Sequence, residues 1–407
     1  MENPAAALSR RSTLLGLTSV LTLGRLSLAV AAAPTERRFV VVILRGALDG
    51  LSAVVPYGDP GLAALRPELL PPAPTRDPAG QDQGLLDLGG TFGLHPAMTR
   101  SHALYQANEF LVVHAVAGNY RVRSHFEAQD CLESGADHRM TSGWLNRAVA
   151  AMPAQKEPNA LSRAIAVGPS VPLLLRGHEA VANWAPHGFA EPEQALYQQI
   201  MALNRPDPIT GPAIAAGLRD RGFGDAVMSA TPQDDPKGRY AFPALATAAG
   251  EMLKAPDGPR IAALDLGGWD THTAQTNRLV QPLTQLDTGI DALRAALGDA
   301  WQQTVVLVMT EFGRTARMNG TGGTDHGTAT VAFLAGGAVA GGRVVANWPG
   351  LAPGQLFENR DLAPTTDLRS VAQGILVGHL GLGQAALGTV FPGSAPAQPM
   401  RGLVRTA

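Results

Sequence analysis

The chain has 407 residues, of which 45% are hydrophobic, and this is enough apolar material for a large core. Its length allows more than one domain, but α/β folds often reach this size as a single domain. The net charge of −2 gives no sign of binding to nucleic acid or to an acidic membrane surface. Cys131 is the only cysteine, so no intrachain disulfide can form.

The first 33 residues are predicted to be a targeting segment and are excluded from the fold. Arg10 and Arg11 precede an apolar run that extends to about Val30, and this pattern resembles a twin-arginine export signal. A general secretory signal or a single membrane anchor is the alternative, although a membrane span needs about 20 residues. We expect a periplasmic or otherwise exported protein that uses the twin-arginine export machinery. Residues 34–407 are expected to form a single domain with no stable membrane span.

The mature chain begins with a predicted buried strand, Phe39–Leu44, which is a continuous apolar run. Asp49 follows this strand closely, and ligands gather at the C-terminal ends of strands in an open α/β sheet. The alternative for Asp49 is a plain Asp-Gly turn. Residues 56–95 are rich in Pro, Gly and Asp and predict a long surface excursion, which ends at His95, an expected helix-capping residue.

A second strand is predicted over Phe110–Ala117, and His114 within it is expected to be a core histidine. Beyond it, Ser124 and Glu127 have the spacing of a capping box, which predicts that a helix begins at Ser124. The same hydroxyl could instead act as a nucleophile or contact an anion at the helix N-terminus. Arg123 beside it would suit a phosphate or sulfate oxygen. Both interpretations of Ser124 stay open.

Apolar runs and prolines suited to first helical turns predict the remaining elements. The further predicted strands are Ala164–Val167, Pro172–Leu175, Arg260–Leu266, Thr304–Met309, Thr328–Ala335 and Gly342–Ala346. The predicted helices are 96–106, 141–151, Pro192–Leu203, Pro243–Lys254, Pro282–Leu297 and Leu368–Leu380, and His379 in the last is expected to be structural. This alternation predicts a doubly wound α/β domain with a mostly parallel sheet.

Asp270 and His272 follow the predicted strand Arg260–Leu266, after two glycines. A carboxylate oxygen and an imidazole nitrogen so close together suit zinc or manganese. In isolation the same Asp-Thr-His sequence would be an unremarkable surface turn. At the end of a strand and beside similar clusters, it predicts a metal site.

The most distinctive stretch runs from Thr304 to Thr328. A β-branched apolar run stops there at Glu311 and Arg314, and a glycine-rich loop then leads to Asp325-His326. A buried parallel strand has such a continuous apolar sequence, and its C-terminal end lies at the ligand-binding edge of the sheet. We expect these clusters to lie on one edge of the sheet, together with Asp49 and the pair Arg123-Ser124.

Four motifs together resemble those of the DUF1501 family of exported proteins, which is similar in fold to the alkaline phosphatase and sulfatase superfamily. The motifs span nearly the whole mature chain: LRGALDGL, YRVRSHFEAQD, LDLGGWDTH and TEFGRTARMNGTGGTDHG. The resemblance implies a three-layer α/β/α sandwich with a site for one or two metal ions. The resemblance implies that Asp49 is a metal ligand and that Ser124 is at the position of the nucleophile.

The resemblance also implies that Asp270 and His272 share one metal ion and that His326, with Asp325 beside it, is the final histidine of the site. Glu311-Phe312 stands where the superfamily has an Asp-His pair directly after a strand. The implied cofactor is one or two divalent ions, zinc or manganese in preference to calcium, held among Asp49, Asp270, His272, Glu311, Asp325 and His326.

The implied activity is metal-dependent hydrolysis of a small phosphate or sulfate ester, whose anionic oxygens Arg123 or Arg314 would hold. Ion pairing of the two arginines with nearby carboxylates is the alternative. A non-catalytic exported protein, which binds metal or takes part in surface assembly, is the alternative to the enzyme. We prefer the enzyme because His272 and His326 suit a transition metal better than calcium.

Overall fold

The computed structural model of the protein describes residues 36–74, 84–153, 161–186, 194–208, 210–229, 241–394 and 397–405. The predicted targeting segment lies outside these residues. Within them, no helix combines the length and the apolar character that a membrane crossing requires.

The strands of the described residues are short to medium in length. They are β1 (Arg38–Leu44), β2 (Val54–Val55), β3 (Leu86–Asp87), β4 (Gly93–Leu94), β5 (Phe110–Ala117), β6 (Ala164–Val167), β7 (Ala182–Trp184), β8 (Ile261–Leu266), β9 (Thr304–Thr310), β10 (Thr330–Ala335), β11 (Arg343–Val345) and β12 (Thr366–Asp367).

The α-helices of the same residues connect and flank these strands. They are α1 (Gly50–Ala53), α2 (Leu62–Leu65), α3 (Thr99–Gln106), α4 (His125–Ser134), α5 (Trp144–Ala151), α6 (Gln194–Asn204), α7 (Thr210–Ser229), α8 (Phe242–Lys254), α9 (Gln275–Arg278), α10 (Val280–Leu297), α11 (Leu368–Gly378) and α12 (Gln384–Val390).

The main sheet has the order β11-β5-β10-β9-β1-β8-β6-β7, with β12 beside β5. Its pairings are parallel except those of β10, which runs antiparallel to β5 and to β9. A small second sheet has the order β2-β4-β3. The C-terminal ends of β5, β9, β1 and β8 therefore lie on the same edge of the main sheet, as the sequence predicts.

Side chains of β1 alternate between two separate apolar cores. Val40 and Val42 belong to one core, together with residues of α8 and α10. Val41 and Ile43 belong to the other, together with residues of α5 and α11. Because successive side chains of a strand point to opposite faces, helices cover both faces of the sheet. The predicted three-layer α/β/α sandwich with a mostly parallel sheet is confirmed.

The strand predicted at Pro172–Leu175 is wrong, because a 3-10 helix covers Leu173–Leu175. Its three leucines are buried, so the apolar pattern indicates burial correctly. The proline has no N–H to donate to a sheet, and the N–H of Leu174 donates to the Glu133 carboxylate at 2.8 Å. The backbone is thus satisfied without a neighbouring strand.

Two histidines predicted to be structural are buried and have hydrogen-bond partners in the protein backbone. His114 on β5 has no exposed surface, and its ring contacts the carbonyl of Val54 at 3.0 Å and the N–H of Ala115 at 2.8 Å. His379 follows α11 and contacts the carbonyl of Arg38 at 2.9 Å. Burial lowers the pKa of each imidazole to about 4. Both rings are therefore neutral in the folded protein near neutral pH.

We expect the folded state to lose stability as the pH falls from about 6.5 towards 4. An unfolded histidine takes up a proton in this range while buried His114 resists it, so the contribution of His114 is complete above about 6.5 and decreases below it. The full loss is on the order of 3 kcal/mol for a shift of this size, and about 2 kcal/mol of it is reached at pH 5. Urea unfolding at about pH 8 and about pH 5 measures it. The variant His114→Phe should have a smaller difference between the two pH values, whereas exposed His138→Gln should match the wild type; an unchanged difference in His114→Phe would contradict the assignment.

Candidate metal centre

Three histidine nitrogens converge on one carboxylate oxygen at the C-terminal edge of the sheet. The Oδ1 atom of Asp270 lies 3.0 Å from Nε2 of His272, 3.2 Å from Nε2 of His326 and 3.5 Å from Nε2 of His125. The Nε2 atoms of His272 and His326 are 3.0 Å apart. We call His125, Asp270, His272 and His326 the histidine cluster.

Each ring of the histidine cluster has a second partner at its Nδ1 atom. Nδ1 of His125 lies 2.8 Å from Oε1 of Glu311, and Nδ1 of His272 lies 3.3 Å from Oδ1 of Asp325. Nδ1 of His326 lies 3.0 Å from the backbone carbonyl of Arg123. With its proton on Nδ1, facing this acceptor, each ring would turn its Nε2 lone pair towards the centre. Histidines that bind metals in proteins have this arrangement.

The donor atoms of the cluster fit a divalent transition-metal ion. Ligands at about 2.0–2.1 Å from a tetrahedral ion are about 3.3 Å from one another, close to the separations of 3.0–3.5 Å found here. Nε2 of His125 is buried without a hydrogen-bond partner. Two unprotonated Nε2 atoms in contact, as in His272 and His326, would repel each other without a cation between them. The ligand atoms of His125, Asp270 and His326 all lie within 4.8 Å of one another, so these three residues could hold an ion by themselves.

The surroundings of Asp270 and His326 favour the protonation states that bind metal, whereas the hydrogen bond and the charge of Glu311 raise the pKa of His125 and favour its protonated ring. Partial burial raises the pKa of Asp270, but the hydrogen bond and charge of Arg314, followed by the charge of His272, outweigh it and lower the pKa to about 2. Burial lowers the pKa of His326, which favours its neutral ring. Metal ligation requires both an ionised carboxylate and a neutral imidazole.

Glu311 directly follows β9 and orients His125 from below the cluster. Its side chain is buried, and burial raises its pKa, but hydrogen bonds from His125 and Gln129 and from the N–H of Gly46 outweigh this and hold the pKa below its usual range. Oε1 accepts from all three groups, at 2.8, 3.0 and 2.9 Å, and Oε2 accepts from the hydroxyl of Thr310 at 2.9 Å. Glu311 is thus an ionised residue behind His125, and both of its oxygens are already hydrogen-bonded within the protein.

Arg314 is buried beneath the cluster and connects the loops that form it. Its guanidinium donates to the carbonyls of Gly46, Ala47, Trp269 and Thr324 at 2.9–3.1 Å, and it also contacts Oδ1 of Asp270. Each of its nitrogens therefore has a protein acceptor, and its side chain has no exposed surface. This geometry positions Asp270 and leaves no nitrogen for a substrate anion. Of the two interpretations of Arg314, the structure therefore favours ion pairing with a carboxylate over substrate binding.

Two glycines allow these loops to approach one another closely. Gly46 has a φ of +119°, and a Cβ atom on it would lie 2.8 Å from the backbone nitrogen of Asp270. A Cβ atom on Gly323, in the loop before Asp325, would lie 2.2 Å from the carbonyl oxygen of His272. Larger residues at these positions would push the ligand-bearing loops apart.

Asp49 lies apart from the histidine cluster, in a buried network of its own. Its carboxylate caps α1 through the N–H of Leu51 and pairs with Arg66 at 2.7 Å. It also accepts from the hydroxyl of Ser52 at 2.7 Å and from the side-chain amide of Gln275. The side chain is 1% exposed. The structure therefore surrounds Asp49 with protein donors and does not bring it to the other predicted ligands.

Ser124 is the N-cap residue of α4, as the capping-box spacing predicts, but its side chain does not bond to the helix. The carboxylate of Glu127 contacts the hydroxyl of Tyr120 instead. The neighbouring Arg123 pairs with Asp361 at 2.7 Å and with Glu358 at 2.6 Å. The serine hydroxyl is thus not occupied by capping, whereas the arginine side chain already has two carboxylate partners.

Of the predicted ligands, the structure therefore brings Asp270, His272 and His326 together, with Asp325 and Glu311 behind them. His125 is a candidate ligand that the sequence analysis did not single out. It stands in the first turn of a helix that follows a strand of the same sheet, one residue after the predicted N-cap. That position, at the same edge as the other clusters, was the available signal.

The chain matches one protein-family model, whereas the solved structures that resemble it are only distantly similar. A family model described as a protein of unknown function, DUF1501, matches residues 36–388. No curated protein sequence matches the chain.

Several solved structures resemble the chain at low identity. Ps i-CgsB in complex with k-i-k-neocarrahexaose is 10% identical, with a TM-score of 0.37 and coverage of 76% of this chain and 68% of that one. Alkaline phosphatase from the Antarctic bacterium TAB5 is 11% identical, with a TM-score of 0.34 and coverage of 76% and 94%. The phosphonate monoester hydrolase of Agrobacterium radiobacter is 12% identical, with a TM-score of 0.32 and coverage of 78% and 72%.

The family model covers most of the chain, and the four motifs that form the edge of the sheet lie inside the matched region. The chain belongs to the DUF1501 family.

Proposed function

We propose that the protein is an exported hydrolase that uses one divalent metal ion, zinc or manganese, to cleave phosphate or sulfate esters. The observation that carries this proposal is the histidine cluster, in which three Nε2 atoms and one carboxylate oxygen converge while each Nδ1 has an acceptor behind it. Bound there, the ion would supply a Lewis acid for an ester oxygen and for an attacking hydroxyl or water.

The proposal has one ion rather than two because the other predicted ligands are already satisfied. The oxygens of Asp49 accept from Arg66, Ser52, Gln275 and a backbone N–H. The oxygens of Glu311 accept from four protein donors as well. A second ion would have to break these bonds in a buried place, where unpaired donors cost free energy.

A catalytic metal site keeps one coordination position open. His125, Asp270 and His326 form a ligand set by themselves, and an ion held by these three would keep a fourth position for an ester or water. The side chains of Asp270 and His272 are 48% and 42% exposed, whereas that of His125 is 23% exposed. An ester can therefore approach from the side of Asp270 and His272. We propose Ser124 as the nucleophile, because it adjoins His125 in the chain and its hydroxyl makes no capping bond. Arg123, held by Asp361 and Glu358, would orient the loop that carries Ser124.

Export by the twin-arginine route is part of the proposal and rests on the sequence around Arg10 and Arg11. This route carries folded proteins, so the ion could be bound before export. A fusion of residues 1–35 to a reporter protein, with and without the Arg10→Lys/Arg11→Lys double change, would test it. Export that persists in the double-lysine form would argue for a general secretory signal.

We expect the purified protein to bind one transition-metal ion per chain. His326→Ala and Asp270→Asn should each abolish stoichiometric binding, because each removes a ligand. Asp49→Asn should keep the ion but lower the free energy of unfolding by about 3 kcal/mol or more, because it leaves Arg66 buried without its carboxylate. Elemental mass spectrometry and urea unfolding measure the two effects, with exposed His138→Ala as the control.

Two results would contradict this assignment. Loss of the ion in Asp49→Asn, with the fold intact, would indicate a site that includes Asp49. Two ions per wild-type chain would indicate the two-metal alternative.

Glu311→Gln should weaken metal affinity by roughly 10–100-fold, the usual effect of removing the charge behind a ligating histidine. The fold should persist, since the amide oxygen can still accept a hydrogen bond from His125. Competition with a metal-binding dye measures the affinity. Glu127→Gln is the matched control and should bind the metal like the wild type. Glu127 lies on α4 like His125, but its side chain is exposed and contacts Tyr120. Equal affinities in both variants would remove His125 from the ligand set.

The metal-loaded protein should hydrolyse p-nitrophenyl phosphate or p-nitrophenyl sulfate, and a chelator should abolish the activity. Ser124→Ala should reduce turnover by at least about 100-fold with metal content unchanged, if the hydroxyl is the nucleophile. Turnover of neither ester by a protein with a full complement of metal would favour the alternative, a non-catalytic exported metal-binding protein.

A further inference from the structure

One buried side-chain amide connects two of the loops that carry the histidine cluster. Gln275 begins α9 and is 1% exposed. Its Oε1 atom accepts from the hydroxyl of Thr271 at 2.8 Å and from the hydroxyl of Thr324 at 2.6 Å. Thr271 directly follows Asp270, and Thr324 lies two residues before His326. A single oxygen atom therefore holds both loops, within one or two residues of a candidate ligand in each.

The nitrogen of the same amide is bound to the buried network of Asp49. Nε2 of Gln275 donates to the hydroxyl of Ser52 at 3.0 Å and to the carboxylate of Asp49. The carboxylate pairs with Arg66 at 2.7 Å, and the guanidinium also donates to the carbonyls of residues 315 and 316 at 2.7 and 3.0 Å. The amide thus ties the two loops to a network that also holds the segment after β9.

A glutamine meets the requirements of this place. A carboxamide has two acceptor lone pairs and two N–H donors, and all four have partners in Gln275. A glutamate would bring a second carboxylate against Asp49, and a methionine would leave two buried hydroxyls without this acceptor. The loops also meet through the N–H of Thr324 and the carbonyl of Thr271, at 3.2 Å. Loss of the amide should therefore loosen the loops rather than separate them.

We infer that Gln275 is a positioning residue of the histidine cluster, whose amide sets the distance between the loop of Asp270 and the loop of His326. Asp49, which the sequence suggests as a ligand, then acts on the cluster through Gln275. The inference deepens the proposed function and rests on it for the metal ion. Loosened loops would bind zinc less tightly, because nitrogen ligands must lie at about 2.0–2.1 Å from the ion.

Competition with a metal-binding dye measures the zinc affinity of variants that remove single hydroxyls. Thr271→Val and Thr324→Val should each weaken it at least about fivefold, the factor that one hydrogen bond contributes. Thr271→Ser keeps the hydroxyl and should bind zinc like the wild type. Thr304→Val is the matched control, because this hydroxyl is also buried and donates to the carbonyl of Ala300 at 2.8 Å, but at the start of β9 on the opposite edge of the sheet. It should lower stability and leave zinc affinity unchanged.

A double-mutant cycle tests whether the threonines act through Gln275. Gln275→Met should weaken zinc affinity at least as much as Thr271→Val, and the two changes together should weaken it no further. An equal additional loss in the double variant would overturn the inference, as would wild-type zinc affinity in both valine variants. If Gln275→Met does not fold, the comparison of the two valine variants with Thr304→Val decides the question.

Hydrogen–deuterium exchange of the metal-free protein tests the positioning without the ion and without activity. Thr271→Val should raise exchange in residues 267–274 and in residues 319–326 together, whereas Thr304→Val should raise it in neither. Unchanged exchange of residues 319–326 in Thr271→Val would overturn the inference. A wild-type protein that binds no zinc would contradict the proposed function, and the exchange result would then decide the role of Gln275 by itself.

Discussion

The candidate site depends on the hydrogen bonds and the ion pair that the buried guanidinium of Arg314 makes. It contacts carbonyls after β1, after β8 and before β10, and it also contacts the carboxylate of Asp270. Backbone carbonyls carry only partial charges, so Asp270 is the full countercharge among these contacts. An arginine is suited to this place because its planar fork donates in several fixed directions, which a lysine cannot do. The position of the central ligand thus follows from one side chain below it.

The carboxylates around this edge of the sheet differ in what surrounds them. Asp49 and Asp361 are buried and are held by arginines, and Glu311 is buried among neutral donors and His125. Asp270 and Asp325 are both exposed, but Asp270 meets three imidazole nitrogens and Asp325 only one. Burial of an unpaired carboxylate is costly, so pairing is the rule in the interior. Exposure combined with three converging nitrogens distinguishes this candidate ligand from the buried acids.

Sequence patterns predict the sheet of this protein better than its site. An apolar run such as Phe110–Ala117 predicts a strand from its own residues, because every residue of that strand is buried. The site depends on which distant residues meet. Asp49 and Asp270 both follow buried strands, but only the fold reveals that Arg66 and Gln275 reach the first of them. His125 was missed because Ser124 and Glu127 explain the local sequence as a helix start without it.

The antiparallel direction of β10 has a consequence for how this edge can change. The chain leaves β9 and enters β10 at the same edge of the sheet. The segment between them, which includes Arg314, Asp325 and His326, therefore begins and ends at that edge. Residues could be inserted or removed there without crossing the sheet or shifting the register of either strand. Related chains could therefore keep the same core and still acquire or lose ligands, and the chemistry of the site could diverge independently of the fold.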